Sequence, residues 1–193
     1  MITEEDIAKL FERQLSQIKD DAVREGTVKC WASACDQGGW KDVAELHDVP
    51  FTLLTDTHGI SFIEHTIAVT EGALALAKVQ MGFYRTIPYK INIDIVIAGG
   101  LLHDVGKLLE IERRPDGAGY RKSLCGKLAR HPISGAILIA QAGLPWCLVN
   151  VSGCHSKEGD GRPQCVETLL IHQADFATFN PVKMMNEGKL IDY

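Results

Sequence analysis

Apolar residues along most of this chain recur every three or four positions, the spacing of one face of an α-helix. Five residues near the start show the pattern: Ile7, Leu10, Phe11, Leu15 and Ile18. They predict an amphipathic helix over about residues 4–24. Thr3 with Asp6 three positions later forms a capping-box pattern at its start, and Gly26 is expected to end it.

The same periodicity continues through the rest of the chain. A second, shorter helix is expected from Thr27 to Gly38-Gly39, a turn or two over 41–47, and loops over 50–60 and 112–122. Longer helices are predicted over about 60–81, 92–110, 132–142, 145–155 and 164–179, with a short last helix from Pro181. No segment alternates convincingly with period two, so the predicted fold is all-α, a single helical bundle.

One domain is expected for 193 residues, which suffice to bury a sizeable core. Within it we predict a helical extension over 1–59 that packs on the core, a central unit over 60–180, and a short helix and tail over 181–193. The three tryptophans are expected to lie in the core or between helices.

Composition and charge exclude several classes of partner. The chain is 46% hydrophobic and 23% charged with a net charge of −5, so binding to a large nucleic acid or to a membrane is not expected. The acidic N-terminus lacks the features of a signal peptide, which favours a cytoplasmic location. Six cysteines without Cys-x-x-Cys spacing are interpreted as reduced thiols rather than zinc ligands.

Candidate chemistry begins at the end of the most apolar predicted helix. There the run from Ile91 to Leu102 leads into His103-Asp104, with Lys107 on the same helical face. A buried aspartate is costly unless it is paired or bound to a metal, and histidine is a common ligand of divalent ions. The pair therefore suggests a metal site, provided that other helices supply more ligands.

Other predicted helices do supply such residues. The candidates besides His103 and Asp104 are His65, His131, His155 and Asp175. Helical bundles build metal sites from inward-pointing side chains of several helices. Six ligands suit two ions that share a bridging carboxylate, for which Asp104 is the candidate, and such a pair activates water and clamps a phosphoryl oxygen.

The order His, His-Asp, His, His, Asp resembles the HD-domain superfamily of metal-dependent phosphohydrolases over about residues 60–180. The segment His103–Lys107 resembles its core motif. Within the superfamily, the sequence motifs most resemble those of the HD-GYP branch of cyclic-dinucleotide phosphodiesterases. His131-Pro132-Ile133-Ser134-Gly135, His155 with Asp160-Gly161, and Ala174-Asp175 resemble later motifs of that branch.

The resemblance implies an HD-type helical bundle and two divalent transition-metal ions. One would be held by His65, His103, Asp104 and Asp175, and the other by Asp104, His131 and His155. Iron or manganese is expected first, with zinc, nickel, cobalt or magnesium as alternatives. Asp104 and Lys107 would be the catalytic residues, and Lys107 would also contact the phosphate or the leaving-group oxygen.

The chain also departs from the HD-GYP branch. His155 is followed by Ser156 where that branch has a second His, and Arg162-Pro163 replaces its Gly-Tyr-Pro. Ser61 stands where some members have the Glu that holds a third metal, which favours two ions. Two alternatives stay open at this point: a di-iron oxygenase on the same ligands, and a non-catalytic HD-type signalling or regulatory module.

A basic segment favours an anionic substrate. From Lys107 to His131 the chain has seven basic residues against three acidic ones. The predicted substrate-binding residues are Lys107, Arg113, Arg114, Arg121, Lys122, Arg130 and His172. The predicted function is hydrolysis of a phosphomonoester or phosphodiester in a small, nucleotide-like molecule. A homodimer is a further expectation.

Overall fold

The computed structural model describes residues 1–191 and residue 193. It confirms the all-α fold class, with helices that form one bundle around a shared apolar core. The helices are Glu4–Leu10 (α1), Glu12–Leu15 (α2), Asp21–Gly38 (α3), Val43–Asp48 (α4), Phe62–Phe83 (α5), Ile93–Leu102 (α6), Lys107–Glu110 (α7), Leu124–Leu128 (α8), His131–Gln141 (α9), Trp146–Cys154 (α10) and Val166–Asn186 (α11).

The N-terminal region differs most from the prediction. The Thr3–Asp6 capping box is present, but the helix expected over 4–24 is divided into α1 and α2, and α3 starts at Asp21 with Asp20 as its cap. Gly26 lies inside α3, where an added Cβ would come within 2.6 Å of Leu144. This glycine therefore permits close packing and does not end a helix.

The predicted helix over 92–110 is interrupted. α6 ends at Leu102, a turn follows, and α7 begins at Lys107. α6 is buried from Ile95 to Leu102, which explains why its apolar run is almost continuous. The interruption redirects the chain directly after the His103-Asp104 pair.

The expected loop over 112–122 contains a small antiparallel hairpin. Its strands are Ile111–Arg113 (β1) and Tyr120–Lys122 (β2), with Ile111 opposite Lys122. Three residues per strand are too few to show the alternation of apolar and polar residues that is typical of a strand. This hairpin could therefore not be predicted from the sequence pattern.

The short last helix predicted from Pro181 is wrong as a separate element. Pro181 lies inside α11, which continues to Asn186. The Asn186 side chain donates to Thr55 Oγ1 and to the Asp56 carbonyl at 2.7 Å each, which anchors the last turn beyond the proline. The division of the chain into three regions otherwise remains a prediction.

α3 supports the segment that carries the His-Asp pair. Trp31 Nε1 donates to the Leu101 carbonyl at 2.9 Å, and Trp40 Nε1 donates to the Leu108 carbonyl at 2.8 Å. Both tryptophans are buried, as expected, but Trp146 is 80% exposed, so its predicted place in the core is wrong. In the described part of the chain, no helix is both long and apolar enough to cross a membrane.

Candidate metal centre

The six predicted ligands converge at one point of the bundle. They lie on or beside five helices, since His103 and Asp104 are adjacent, and most are close to a helix end. His65 is on α5, His103 follows α6, Asp104 lies in the next turn, His131 begins α9, His155 follows α10 and Asp175 is on α11. Two groups of potential ligands have their donor atoms within 4.8 Å of one another: His65, His103 and Asp175, and Asp104, His131 and His155.

The Asp104 carboxylate lies between the two groups. Its Oδ2 is 3.6 Å from His65 Nε2 and 3.3 Å from His103 Nε2. Its Oδ1 is 3.2 Å from His131 Nε2 and 3.4 Å from His155 Nε2. Each carboxylate oxygen thus faces a separate pair of imidazoles, which is the arrangement that a bridging ligand requires.

Two of the histidines have their Nε2 atoms directed at the centre by a hydrogen bond to a backbone carbonyl on the other side of the ring. His103 Nδ1–H donates to the Gly100 carbonyl at 2.6 Å, and His155 Nδ1–H donates to the Ser152 carbonyl at 2.9 Å. A carbonyl can only accept, so Nε2 of each neutral ring keeps its lone pair. Such a bond to Nδ1 is typical of metal-binding histidines.

The centre contains polar atoms that the protein itself does not satisfy. Among the described residues, His65 Nε2, His103 Nε2 and Asp104 Oδ1 are buried without a well-formed hydrogen bond. Unpaired buried polar groups are costly, so they call for a partner. Imidazole nitrogens with carboxylate oxygens are a donor set for divalent transition metals, and these residues therefore fit such ions.

The two carboxylates of the centre are ionised. Burial alone would raise the pKa of Asp104, but the Lys107 ammonium and the His103 and His131 imidazoles hold it well below its usual range. Burial also opposes ionisation of Asp175, yet its contact with His65, with Oδ1 3.2 Å from His65 Nε2, lowers that pKa to about 2. Both groups are thus in the charged form that binds a metal ion.

Two histidines are shifted in opposite directions. Burial would lower the pKa of His65, but its contacts with Asp104 and Asp175 outweigh burial and raise it. For His131 burial prevails, and its pKa falls below the usual value despite the neighbouring carboxylates. His131 is therefore the more readily neutral of the two, and the neutral ring is the one that binds metals.

Lys107 lies at the edge of the centre. Its ammonium group donates to Asp104 Oδ2 and, at 2.7 Å, to the Phe51 carbonyl. The Phe51 ring stacks on the His65 ring with centroids 4.6 Å apart. Phe51, in the segment between α4 and α5, thus covers the His65 ring and holds Lys107 beside the centre.

The predicted substrate-binding residues beyond Lys107 do not converge in the same way. Most form ion pairs with neighbouring acids: Arg113 with Glu45 and Asp48, Arg114 with Asp116, Arg121 with Glu112, Lys122 with Glu110, and Arg130 with Glu158. His172 lies closer, because its Nδ1–H donates to the His155 carbonyl at 2.6 Å. Their part in substrate binding stays a prediction.

Sequence reasoning missed Glu110. This buried residue at the end of α7 accepts hydrogen bonds from His131 Nδ1–H and from the His131 backbone N–H, each at 2.7 Å. Burial by itself would raise the pKa of Glu110, but the bonds from His131 lower it to about 2. The available signal was an acid enclosed by apolar neighbours, in the run Leu108-Leu109-Glu110-Ile111.

A helical bundle that gathers buried histidines and aspartates at its helix ends defines a class of metal-binding protein. Comparison with known protein families identifies the class more closely. The family model described as HD domain matches residues 62–176, and this range includes all six ligand candidates. The chain belongs to the HD-domain family, and the resemblance to this superfamily of metal-dependent phosphohydrolases is confirmed.

A curated relative also matches a large part of the chain. It is described as dihydroneopterin 2',3'-cyclic phosphate phosphodiesterase, from Methanocaldococcus jannaschii, and is 31% identical over 116 residues. The match covers 60% of this chain and 45% of the relative, so the chain spans less than half of that protein's length. No solved structure matches the chain.

Proposed function

We propose that this protein is a metal-dependent phosphodiesterase that acts on a small, nucleotide-like phosphoester through a binuclear metal centre. His65, His103 and Asp175 would hold one divalent ion and His131 and His155 the other, with Asp104 shared between them. The observation that carries the proposal is the position of Asp104, whose two oxygens lie 3.2–3.6 Å from two separate pairs of imidazoles.

Two divalent ions, when bound, supply positive charge for the phosphoryl oxygens and lower the pKa of water. The protein's own side chains supply the remaining contributions to catalysis. Asp104 and Asp175 balance the positive charge, and the enclosed position of the centre limits competing solvent. Lys107, whose side chain is 13% exposed, is placed to donate to the leaving oxygen or to an oxygen of the phosphate.

The proposed bond type and substrate class rest on the curated relative. Its name specifies a 2',3'-cyclic phosphodiester carried by a pterin, which is a fused nitrogen heterocycle like a purine. We therefore rank small 2',3'-cyclic phosphodiesters first among substrates.

Hydrolysis of a cyclic phosphodiester adds water across one P–O bond and leaves a phosphomonoester, so it releases no inorganic phosphate. The test is therefore ³¹P NMR of purified protein with Mn²⁺ or Fe²⁺ and a panel of 2',3'-cyclic, 3',5'-cyclic and linear substrates. Ring opening that requires the metal is the expected result. Oxygen consumption without cleavage of any phosphoester would overturn the proposal in favour of an oxygenase.

The shared position of Asp104 makes its own prediction. Asp104→Asn keeps the side-chain shape but removes the charge common to both ligand sets, so both ions should be lost. Elemental analysis should find about two ions per chain in the natural protein and fewer than one in the variant. Asp36→Asn on the exposed face of α3 is the matched control. A variant that still holds two ions would contradict the bridging role.

A further inference from the structure

Glu110 is held between the proposed centre and the hairpin. Its Oε2 accepts from the backbone N–H and from the ring Nδ1–H of His131, each at 2.7 Å. Its Oε1 lies 3.0 Å from Nζ of Lys122 on β2. Both carboxylate oxygens are therefore engaged. The side chain has little freedom to leave His131.

The backbone of Glu110 is fixed as well. The Ser123 N–H donates to the Glu110 carbonyl at 2.8 Å. Across α8, an added Cβ on Gly126 would lie 2.7 Å from the Glu110 Cγ and 2.7 Å from its carbonyl oxygen. Only a glycine permits this approach, so α8 packs directly against Glu110 and limits its movement.

The other histidines of the centre have weaker partners at Nδ1. His103 and His155 donate to backbone carbonyls, and the Nδ1 of His65 lies 3.4 Å from Thr178 Oγ1. Among the four imidazoles, His131 therefore has a carboxylate partner where the others have neutral oxygens. Hydrogen bonds to an ionised group are shorter and about twice as strong as neutral ones.

We infer that Glu110 is a positioning residue that fixes the orientation and tautomer of His131, so that Nε2 is presented to the ion shared by Asp104, His131 and His155. The inference rests on the proposed metal centre but not on the substrate. It makes the two ion sites unequal, because one of them includes a ligand with an anionic partner. Loss of such a partner typically weakens metal binding about 10–100-fold.

The test is a calorimetric titration of metal-free protein with Mn²⁺ alone. Glu110→Gln preserves the shape and one acceptor but removes the charge. We expect one Mn²⁺ to bind about 10–100-fold more weakly while the other binds as before. Glu112→Gln is the matched control, since it makes the same change two residues away, at a half-exposed strand position paired with Arg121.

The outcomes separate this inference from the proposed function. Unchanged Mn²⁺ affinity in Glu110→Gln would overturn the positioning role, even if the natural protein cleaves phosphodiesters. Weakened binding supports the role, even if every phosphoester in the panel is left intact. Natural protein that binds no Mn²⁺ would overturn both.

A second measurement avoids dependence on the folding of Glu110→Gln. In ¹⁵N NMR spectra of the metal-free natural protein, we expect His131 to carry its proton on Nδ1, with the resonance assigned by its loss in His131→Asn. A proton on Nε2 instead would overturn the inference. Glu110→Gln should shift the His131 resonances while the metal-free Tm stays within about 4 °C, a change of roughly 1 kcal/mol.

Discussion

At the residue scale, the centre contains a buried charge that is stable only because several neighbouring side chains contact it. One buried carboxylate, Asp104, faces four imidazoles and the Lys107 ammonium. Removing one partner of a buried ionic group is more costly than the pair itself is stabilising. Substitution of Asp104 is therefore expected to affect every group around it, and not one contact alone.

Lys107 allows catalysis to be separated from metal binding. Lys107→Ala removes a donor beside Asp104 but none of the proposed ligands, so both ions should remain. Turnover should fall about 10²–10³-fold, the usual effect of losing one donor to a developing charge. Elemental analysis and the ³¹P assay measure the two properties on the same sample.

Lys29→Ala, on an exposed position of α3, is the control for this experiment. Full turnover in Lys107→Ala would show that its ammonium serves only to hold Asp104 and the Phe51 carbonyl. Loss of both ions would instead place Lys107 among the groups that maintain the ligands.

Sequence alone could indicate the candidate ligands that the structure brings together, but not how each is supported. The six ligand candidates stand out because imidazole or carboxylate groups recur at the ends of apolar helices. Glu110 contributes through His131, and its role depends on a bond between α7 and α9 that no sequence spacing encodes. Likewise, sequence alone did not show the acidic partners of the basic residues in 113–122. Arg121 meets Glu112 through the hairpin register, and Arg113 meets Glu45 and Asp48 of α4.

At the scale of elements, close backbone approaches hold the helices around the centre. An added Cβ at Gly106 would lie 2.2 Å from the His131 carbonyl oxygen and 2.6 Å from the Gly135 nitrogen. At Gly135 it would lie 2.4 Å from Ser152 Oγ. These two glycines let the turn after α6, α9 and α10 meet, which brings Asp104, His131 and His155 together.

Gly106→Ala should therefore move α9 away from the turn that carries Asp104. We expect the free energy of unfolding to fall by about 1–3 kcal/mol, the usual cost of overpacking, and Mn²⁺ binding to weaken. Urea unfolding and calorimetric titration measure the two effects. Gly82→Ala is the control, because its added Cβ meets no atom within 4 Å and its φ is negative; equal behaviour of both variants would contradict the explanation.

The thiols of α3 offer an independent check of its burial. Cys30 and Cys35 are buried, and burial raises the pKa of each to about 12. At pH 8 only about one in ten thousand of these thiols is ionised, and the thiolate is the reactive form. An aromatic disulfide reagent should therefore leave both unmodified in folded protein and modify them after unfolding, as mass spectrometry of peptides would show.

The partly exposed Cys125 is the internal reference for that experiment. Modification of Cys30 at a similar rate in folded protein would mean that α3 separates readily from the bundle. It would also weaken the view that α3 supports the His103-Asp104 segment.

Helix positions were predictable where one apolar face decides them, as in α5, α9 and α10. The predicted helix ends were wrong where a contact with a distant part of the chain decides whether the helix stops. The helix over 92–110 breaks because the turn around Gly106 meets α9, and α3 continues through Gly26 because that residue lies against Leu144. Residues far away in the sequence set both outcomes.

At the scale of the whole molecule, the first 59 residues and the family-matching region share one core. Trp31 packs against both Phe11 and Phe62, and Trp31 and Trp40 donate to the carbonyls of Leu101 and Leu108. The extension thus packs behind the helix that leads to the His-Asp pair. A change in the extension should reach the centre through these bonds.

Metal binding should stabilise the entire fold, because the ligands join α5, α6, α9, α10 and α11. An ion at 100 times its Kd adds about 2.7 kcal/mol. For a protein of this size that corresponds to a rise in Tm of roughly 5–11 °C for each ion. Thermal unfolding with Mn²⁺ and after chelation measures the difference, and Asp104→Asn should show none; an equal rise in that variant would indicate binding elsewhere.

The ligands also have an order along the chain. Asp104, His131 and His155 are all present once the residue after α10 has been synthesised, whereas Asp175 follows His155 by 20 residues on α11. His65 lies 3.2 Å from Asp175, so its partner arrives last although His65 itself is synthesised first. Because chains emerge from the N-terminal end, one half of the centre acquires its ligands before the other, and α11 completes the set.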